Sequence, residues 1–581
     1  MTASSDDESR SNLLARARGW AEDDPDPQTR AELEALLDAA AADPDGEDAA
    51  DLRDRFDGRL EFGTAGLRGA LGPGPNRMNR VVVIRAAAGL AAYLKHHGAG
   101  PDDSVVIGYD ARHNSQMFAR DTAAVMVGAG FRALVLPRPL PTPVLAYAIR
   151  RLGCVAGVMV TASHNPPQDN GYKVYLGDGS QIVPPADEEI SARIGAVGAL
   201  AEVARGESWT TLDDAVVDSY LDDTAALVAP DGPRELVTVY TPLHGVGGES
   251  VVEVMRRAGF PAPHVAAAQA EPDPDFPTVA FPNPEEPGAM DLAMGLAAEV
   301  DADIVVANDP DADRCAVAVP GPQGWRMLRG DEVGVLLADF LLRNGIGGVY
   351  ATTIVSSSLL GRMAAARGQE HTETLTGFKW LGRVDGLAFA YEEALGYCVA
   401  PNLVRDKDGV SALLRIVELA AMLKAEGRTL GDRLDEIACK HGLHATDQLS
   451  VRVDDLSVIT DAMARLRADP PARLGGLAVE RVDDLAAGSA ERTGLPPTDG
   501  VRLVLADRGR VVVRPSGTEP KLKAYLEVVV AVEQATAPGS AANADAHAAS
   551  ADPTDAVQAA RIAAAGRLDA IKSDLSVALG L

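Results

Sequence analysis

The chain has 581 residues, 46% of them apolar and 24% charged. At about 100–200 residues per domain this predicts three to five domains with buried cores, and it excludes a chain that is disordered throughout. The formal net charge of −30 repels nucleic acid and anionic membrane, so neither is an expected partner, and any anionic substrate has to be met by a local cluster of Arg, Lys, metal and backbone N–H groups.

The N-terminus, MTASSDDESRSNLL, is acidic and polar, unlike a secretory signal. No run of about 18 apolar residues is present to span a membrane; the longest candidate, Val81–Leu94, is interrupted by Arg85. Cys154, Cys315, Cys398 and Cys439 form no CxxC pair and lie in or beside apolar runs, which predicts buried thiols in a reducing compartment. A cytoplasmic location is expected.

Residues 1–55 read as a helical, charged lead-in. From there short β-type runs alternate with amphipathic segments. SVVIGYD (104–110), RALVLP (132–137) and VAGVMVTAS (155–163) are predicted strands, with helices over Ser115–Gly128 and Thr142–Leu152 between them. The alternation restarts with strand LVTVYTP (236–242), a helix over Glu249–Ala258, and strands DIVVAND (303–309) and CAVAVP (315–320). A third round has a helix over Asp331–Leu342, strand VYATTIVSS (349–357), and helices over Leu359–Ala366 and Val410–Ala425. The last block differs: LSVRV (449–453), VRLVLAD (501–507), RVVVRPS (510–516) and LKAYLEVVV (522–530) are strands with fewer helices between them. Residues 533–553 are rich in Ala, Ser, Pro and Asp and read as a disordered insert before a helix over Ala556–Leu579. The expected organisation is therefore α/β: a lead-in (1–55), three similar mixed α/β domains (56–212, 213–325 and 326–442) and a smaller α+β domain (443–581).

Five strings carry chemistry. In TASHNPPQDNGYKVY (161–175), Ser163 follows directly on a β-run, the place where α/β proteins put reactive groups. His164, Asn165 and two prolines make a stiff turn able to hold a hydroxyl outward, and Lys173 follows. In NDPDADR (308–314), Asp309, Asp311 and Asp313 alternate after a strand. Three carboxylates so close repel one another unless a cation binds them, and oxygen-only ligands suit Mg²⁺ or Ca²⁺. An EF-hand fails, because Arg314 stands where it needs Gly and Pro320 where it needs an acid.

In RPSGTEPKLKAYLE (514–527), Arg514 offers a fork matched to phosphate, Ser516 and Thr518 offer hydroxyls, and Gly517 allows close approach of backbone N–H groups. No GxxxxGK[ST] is present, which excludes an ordinary P-loop NTPase. EFGTAGLRGALG (61–72) is a Gly-rich loop, and in YEEALGY (391–397) Glu392 and Glu393 are able to accept bonds from sugar hydroxyls.

Together, and in their order along the chain, the five strings resemble the α-D-phosphohexomutase superfamily, which includes phosphoglucomutase and phosphomannomutase; the resemblance spans about Glu61 to Glu527. It implies four domains around a central cleft, each giving one loop. Ser163 matches the family's phosphoserine, and Asp309, Asp311 and Asp313 match its Mg²⁺ ligands, with the serine phosphate completing the site. Arg314 matches a substrate- or phosphate-contacting arginine, and Arg68 and Lys173 match basic active-site residues. Thr376 and Gly377, in TLTGFKW (374–380), lie where the family has a substrate-binding loop. Arg514, Ser516, Gly517 and Thr518 match the loop holding the non-reacting phosphate. One departure stands out: where family hexomutases often carry Glu-x-Ser, Glu392 is kept but Ala394 replaces the serine, as in the branch of bacterial phosphoglucomutases and phosphopentomutases related to the second mammalian type.

The implied activity is interconversion of sugar 1-phosphate and 6-phosphate (glucose or mannose) through phosphoserine and a bisphosphorylated sugar, with phosphopentomutase as the alternative. A sugar bisphosphate is the expected activator that phosphorylates Ser163. The expected partners are small sugar phosphates, and the expected state is a monomer or weak homodimer. For the base that takes the sugar hydroxyl proton, Lys173, His164 and Arg68 are candidates, with Lys173 preferred because a lysine in a cationic site can have a lowered pKa. Remoter readings are a haloacid dehalogenase-type phosphatase, against which Asp313 stands where Thr or Val is needed, and a non-catalytic sugar-phosphate sensor. HGVGGES (244–250) lacks the GxGxxG order of a dinucleotide site and reads as a tight turn.

Overall fold

A computed structural model describes residues 2–321, 324–453, 455–486, 494–516, 521–532 and 553–581. They form two compact units, Met1–Met327 with Gly396–Ala421, and Leu328–Leu395 with Met422–Leu581.

The first unit begins with helices Thr2–Asp23, Pro27–Ala42 and Glu47–Phe56, whose buried Leu33, Leu36, Leu37, Leu52 and Phe56 share a small core. A six-stranded sheet follows, in the order Leu67–Ala70, Asp169–Leu176, Ala156–Val160, Ser104–Tyr109, Arg132–Val135, Thr210–Thr211. Its centre is parallel, and every residue of Ser104–Tyr109 is buried, as expected for a strand covered on both faces by helices. Strand Asp169–Leu176 was not expected from sequence. It runs antiparallel to Ala156–Val160 because the Ser163 turn is too short for a crossover and can only reverse the chain. Its far neighbour, Leu67–Ala70, is also antiparallel, so part of the Gly-rich string is an edge strand.

A second sheet runs Gly324–Met327, Ala316–Gly321, Ile304–Ala307, Thr238–Thr241, His264–Val265. Ala316–Gly321 turns back antiparallel on Ile304–Ala307, and the aspartate string is the loop of that hairpin. Segment Gly396–Ala421, expected from sequence to lie within the third α/β block (326–442), groups with this unit. Buried phenols tie it down: Tyr175 donates to Asp406 (2.8 Å) and Tyr220 to Asp408 (2.8 Å).

In the second unit, Glu370–Thr374, Val349–Thr353 and Leu387–Glu392 form a parallel ladder flanked by helices Gly330–Arg343 and Leu359–Ala366. A Cβ at Gly334 would lie 2.6 Å from the Tyr391 ring, so the glycine lets the first of these helices lie directly on the ladder. The C-terminal sheet is antiparallel, in the order Leu443–Arg452, Lys521–Val530, Arg510–Pro515, Val501–Leu505, Leu477–Asp484, Arg473–Leu474. Ile459, Met463 and Leu466 of helix Leu456–Ala468, with Leu568, Ile571 and Leu575 of helix Pro553–Leu579, fill one core with it. The architecture is three mixed α/β domains and a smaller C-terminal one. The expected insert at 533–553 lies outside the described residues, apart from Pro553, which opens the last helix. Among the described residues no helix is long and apolar enough to cross a membrane.

Candidate active site

Ser163 stands one turn beyond strand Ala156–Val160, with φ +52° and only 3% of its surface exposed. A left-handed serine is uncommon and costs free energy unless its surroundings fix it. They do. Its N–H donates to Thr161 Oγ1 (2.9 Å), and Arg112 donates to four carbonyls of the loop: Ser163 (2.7 Å), Asn165 (2.5 Å), Pro166 (2.8 Å) and Asp169 (3.1 Å). The Arg112 guanidinium also lies 4.8 Å over the Phe276 ring, a favourable placement for a buried cation. Arg68 donates to Asn165 Oδ1 (3.0 Å) from the edge strand.

The aspartate loop is closed by Asn308, which donates to the Arg314 carbonyl (2.6 Å) and accepts from Tyr240 (2.9 Å). Asp309, Asp311 and Asp313 are all fully buried, and one oxygen from each lies within 4.8 Å of the others. Ser163 Oγ donates to Asp309 Oδ2 at 2.8 Å, with His164 Nδ1 at 3.2 Å on its other side. Lys173 donates to Asp311 (2.7 Å) and Asp313 (3.0 Å). Lys407 lies 3.2 Å from Asp313, and Thr142 donates to Asp311 (2.6 Å). Arg314 sits 3.6 Å from Glu285 and 3.9 Å from Asp309.

Burial and the two neighbouring carboxylates push Asp309 up to about 8. Burial acts the same way on Asp311 and Asp313, but Lys173, joined by Thr142 at Asp311 and by Lys407 and Arg314 at Asp313, outweighs it and holds both below the usual carboxylate range. Lys173 is in turn held more firmly protonated: burial alone would lower it, and Asp311 and Asp313 win. That runs against the lowered lysine pKa on which its preference as a base was founded. His164 is pushed well below 6.5 by burial and by Arg314 and Arg68, so it is a neutral imidazole against the serine oxygen.

The donor set fits a hard divalent cation. It is all oxygen, and Asp311 Oδ1 and Asp313 Oδ1 are buried without a hydrogen-bond partner, an arrangement that is costly unless a ligand takes those lone pairs.

The second unit holds the other sequence candidates. Gly377 (φ +107°) precedes the short helix Phe378–Leu381, next to Thr376, and Glu392 ends its strand. Arg514 pairs across the ladder with Lys523, and the Ser516 N–H donates to the Lys521 carbonyl (2.8 Å). Burial raises the Tyr525 phenol, Glu393 and Glu392 raise it further, and Arg514 opposes them, which puts the sugar-reading string and the phosphate string beside one tyrosine. Gly517 and Thr518 lie outside the described residues. Sequence reasoning missed Arg112, Thr142 and Lys407. The position of Arg112 just past the end of strand Ser104–Tyr109 was the one available signal.

Four family descriptions match the chain in order: "Phosphoglucomutase/phosphomannomutase, alpha/beta/alpha domain I" at residues 59–199, domain II at 218–322, domain III at 329–440 and the C-terminal domain at 450–537. A Haemophilus influenzae protein named "Probable phosphomannomutase" is 50% identical over 458 residues, 78% of this chain and 93% of that one. A Schizosaccharomyces pombe protein named "Probable phosphoribomutase" is 38% identical over 549 residues, 87% of this chain and 92% of that one. A solved structure of a phosphoglucomutase/phosphomannomutase family protein from Burkholderia thailandensis shares the fold, with a TM-score of 0.64 at 21% identity, over 87% of this chain and 97% of that one. With all four domains matched in order and half the residues of a near-full-length relative identical, the chain belongs to the phosphoglucomutase/phosphomannomutase family.

Proposed function

We propose that the chain moves a phosphoryl group between carbons 1 and 6 of a hexose, glucose or mannose, by way of phosphoserine at position 163. The observation that carries this reading is the Ser163 hydroxyl, held 2.8 Å from Asp309 at the edge of a buried carboxylate trio. Asp309, Asp311, Asp313 and the Ser163 oxygen are the groups that would hold Mg²⁺, which when bound supplies positive charge beside the transferring phosphate.

The protein's own residues do the rest. Arg112 and the left-handed backbone fix the direction of the serine oxygen. Lys173 and Arg314 add positive charge where negative charge gathers. In the forward step the Oγ–P bond of Ser163 breaks and a bond forms between phosphorus and a sugar hydroxyl oxygen, whose proton goes to a base. The bisphosphorylated sugar then turns end for end and returns its other phosphate to Ser163, and a sugar bisphosphate also loads the serine at the outset. His164, neutral and 3.2 Å from the serine oxygen, stands where it can hydrogen-bond that oxygen as its bond to phosphorus forms or breaks. Arg514, Ser516, Gly517 and Thr518 would grip the non-reacting phosphate, and Thr376, Gly377 and Glu392 the sugar.

A second reading, transfer between carbons 1 and 5 of a pentose, is favoured by Ala394 in the Glu392 string and by the name of the S. pombe relative. One experiment addresses both. Intact-mass analysis is expected to find phosphate on the wild-type chain and none on Ser163→Ala, with turnover of glucose 1-phosphate or mannose 1-phosphate lost by about 10⁴-fold or more. Near-normal turnover by Ser163→Ala would overturn the mechanism. Faster turnover of ribose 1-phosphate than of either hexose would move the reaction to the pentose.

A further inference from the structure

One cavity of the first unit lies away from the serine. It lies between the N-terminal helices and the first α/β domain and has a volume of about 660 Å³, within the range of small-molecule sites. One wall is aromatic: Trp20 and Phe56 meet edge to face at 6.1 Å, with Phe62 beside them. Leu60, Leu67, Pro75, Val82 and Ile194 add apolar surface, and the charged part of the lining is mainly cationic. Arg16, Arg59 and Arg85 all line the cavity, against the single carboxylate of Glu61.

The hydrogen bonds of Arg16 and Arg85 go to carbonyls rather than to carboxylates. Arg16 donates to the Phe56 carbonyl (2.5 Å) and stacks 6.0 Å from the Phe56 ring. Arg85 donates to the Val197 carbonyl (2.9 Å). Among the described residues no carboxylate forms an ion pair with any of the three. Burial disfavours the Arg85 charge and neighbouring Arg59 adds to that, with Asp23 opposing in part. Three arginines around an aromatic wall give this cavity a local positive field that suits an anion. The contrast with a chain of net charge −30 sharpens the point.

We propose that this cavity is a binding site for a small organic anion with an aromatic or apolar body, its ring against Trp20 and Phe56 and its charged end between Arg59 and Arg85. The site is separate from the serine centre, but its lining includes Leu67. The next residue on that edge strand is Arg68, which holds Asn165 of the serine loop.

Two probes of the same shape test it on the full chain: anilinonaphthalene sulfonate, which carries the charge, and the neutral N-phenylnaphthylamine. Fluorescence titration of the wild type is expected to show one saturable site for the sulfonate. In Arg59→Gln/Arg85→Gln the sulfonate is expected to bind about tenfold more weakly or worse, with the affinity for the neutral probe unchanged. Arg59 is exposed, so Arg59→Gln alone serves as the variant if the double one does not fold, with the same loss in smaller measure. Ser191→Phe, which fills the cavity from another wall, is expected to exclude both probes. Equal sulfonate affinity in the arginine variants and wild type, a parallel loss of the neutral probe in them, or full binding of both probes by Ser191→Phe would each overturn the proposal.

Discussion

Two clusters of buried charge, one in each compact unit, are built on opposite plans. In the second unit, Glu527 is 3% exposed and accepts from Arg510 Nε (2.9 Å), His444 Nδ1 (3.0 Å), Ser357 Oγ (2.7 Å) and the Ser358 N–H (2.9 Å). Arg510 spends its remaining donors on Glu373 (2.6 Å) and the Ser356 carbonyl. In the first unit, Asp309, Asp311 and Asp313 crowd together with two carboxylate oxygens left unpartnered. Both clusters are buried. The closed one, with the oxygens of its Glu527 carboxylate filled by side chains and backbone, fastens strand Lys521–Val530 to the loop after Val349–Thr353. The open one keeps coordination capacity that the fold does not use, which is what a site for a ligand requires.

The largest test breaks the closed cluster. Glu527→Ala leaves Arg510 buried beside too little negative charge, and about 3–5 kcal/mol of stability is expected to go, read by denaturant unfolding. The same carboxyl predicts a pH dependence. Burial would raise it, but Arg510 and His444 hold it down to about 2, against 4.5 in the unfolded chain. A depressed acid stabilises the fold above the unfolded value. The contribution, about 3 kcal/mol, is therefore present above pH 4.5 and lost as pH falls toward 2, and Glu527→Gln should flatten the unfolding curve over that window.

Next in size is the open cluster. Asp311→Ala is expected to lower turnover about a hundredfold or more while costing far less stability than Glu527→Ala. A large drop in melting temperature with turnover intact would reverse the assignment of the two plans.

The smallest effect falls on Glu393, which lies between the two plans. It accepts from Ser356 (2.9 Å) and Thr353 (3.2 Å), yet burial, Glu392 and Asp331 push it up to about 7. Here the sign inverts. The folded protein keeps a proton that the unfolded chain releases above pH 4.5, so stability falls as pH rises from 4.5 to 7. Glu393→Gln is expected to be more stable than wild type by about 1 kcal/mol at pH 8, a figure discounted for partial solvent screening. Identical pH profiles would show that Glu393 is satisfied after all.

These two plans also mark what a sequence can disclose. The serine and aspartate strings are legible because their chemistry is local: a hydroxyl at a strand end, and three acids at alternate positions. The α/β succession is legible for the same reason, since apolar runs and helical periods are short-range patterns. The partners that finish each cluster come from far along the chain. Thr142 and Lys407 reach the aspartates from either side in sequence, and Arg510 reaches Ser356 and Glu373 across more than a hundred residues. No local pattern distinguishes such residues from surface ones. Strand Asp169–Leu176 was missed because its QDNG lead-in is composed like a loop, and its place in the sheet is set by pairing with Ala156–Val160. Leu477–Asp484 was missed because its solvent face is charged.

The Arg112 brace has a thermal side. Ordering each residue of backbone costs roughly 1–2 kcal/mol of entropy, and for the stretch from Ser163 to Asp169 that cost falls on folding. Every later encounter with substrate meets a loop already still, so recognition need not freeze it again. Warming the protein should therefore agitate this loop last among the segments of its domain, and amide exchange along it should track global unfolding rather than local fluctuation.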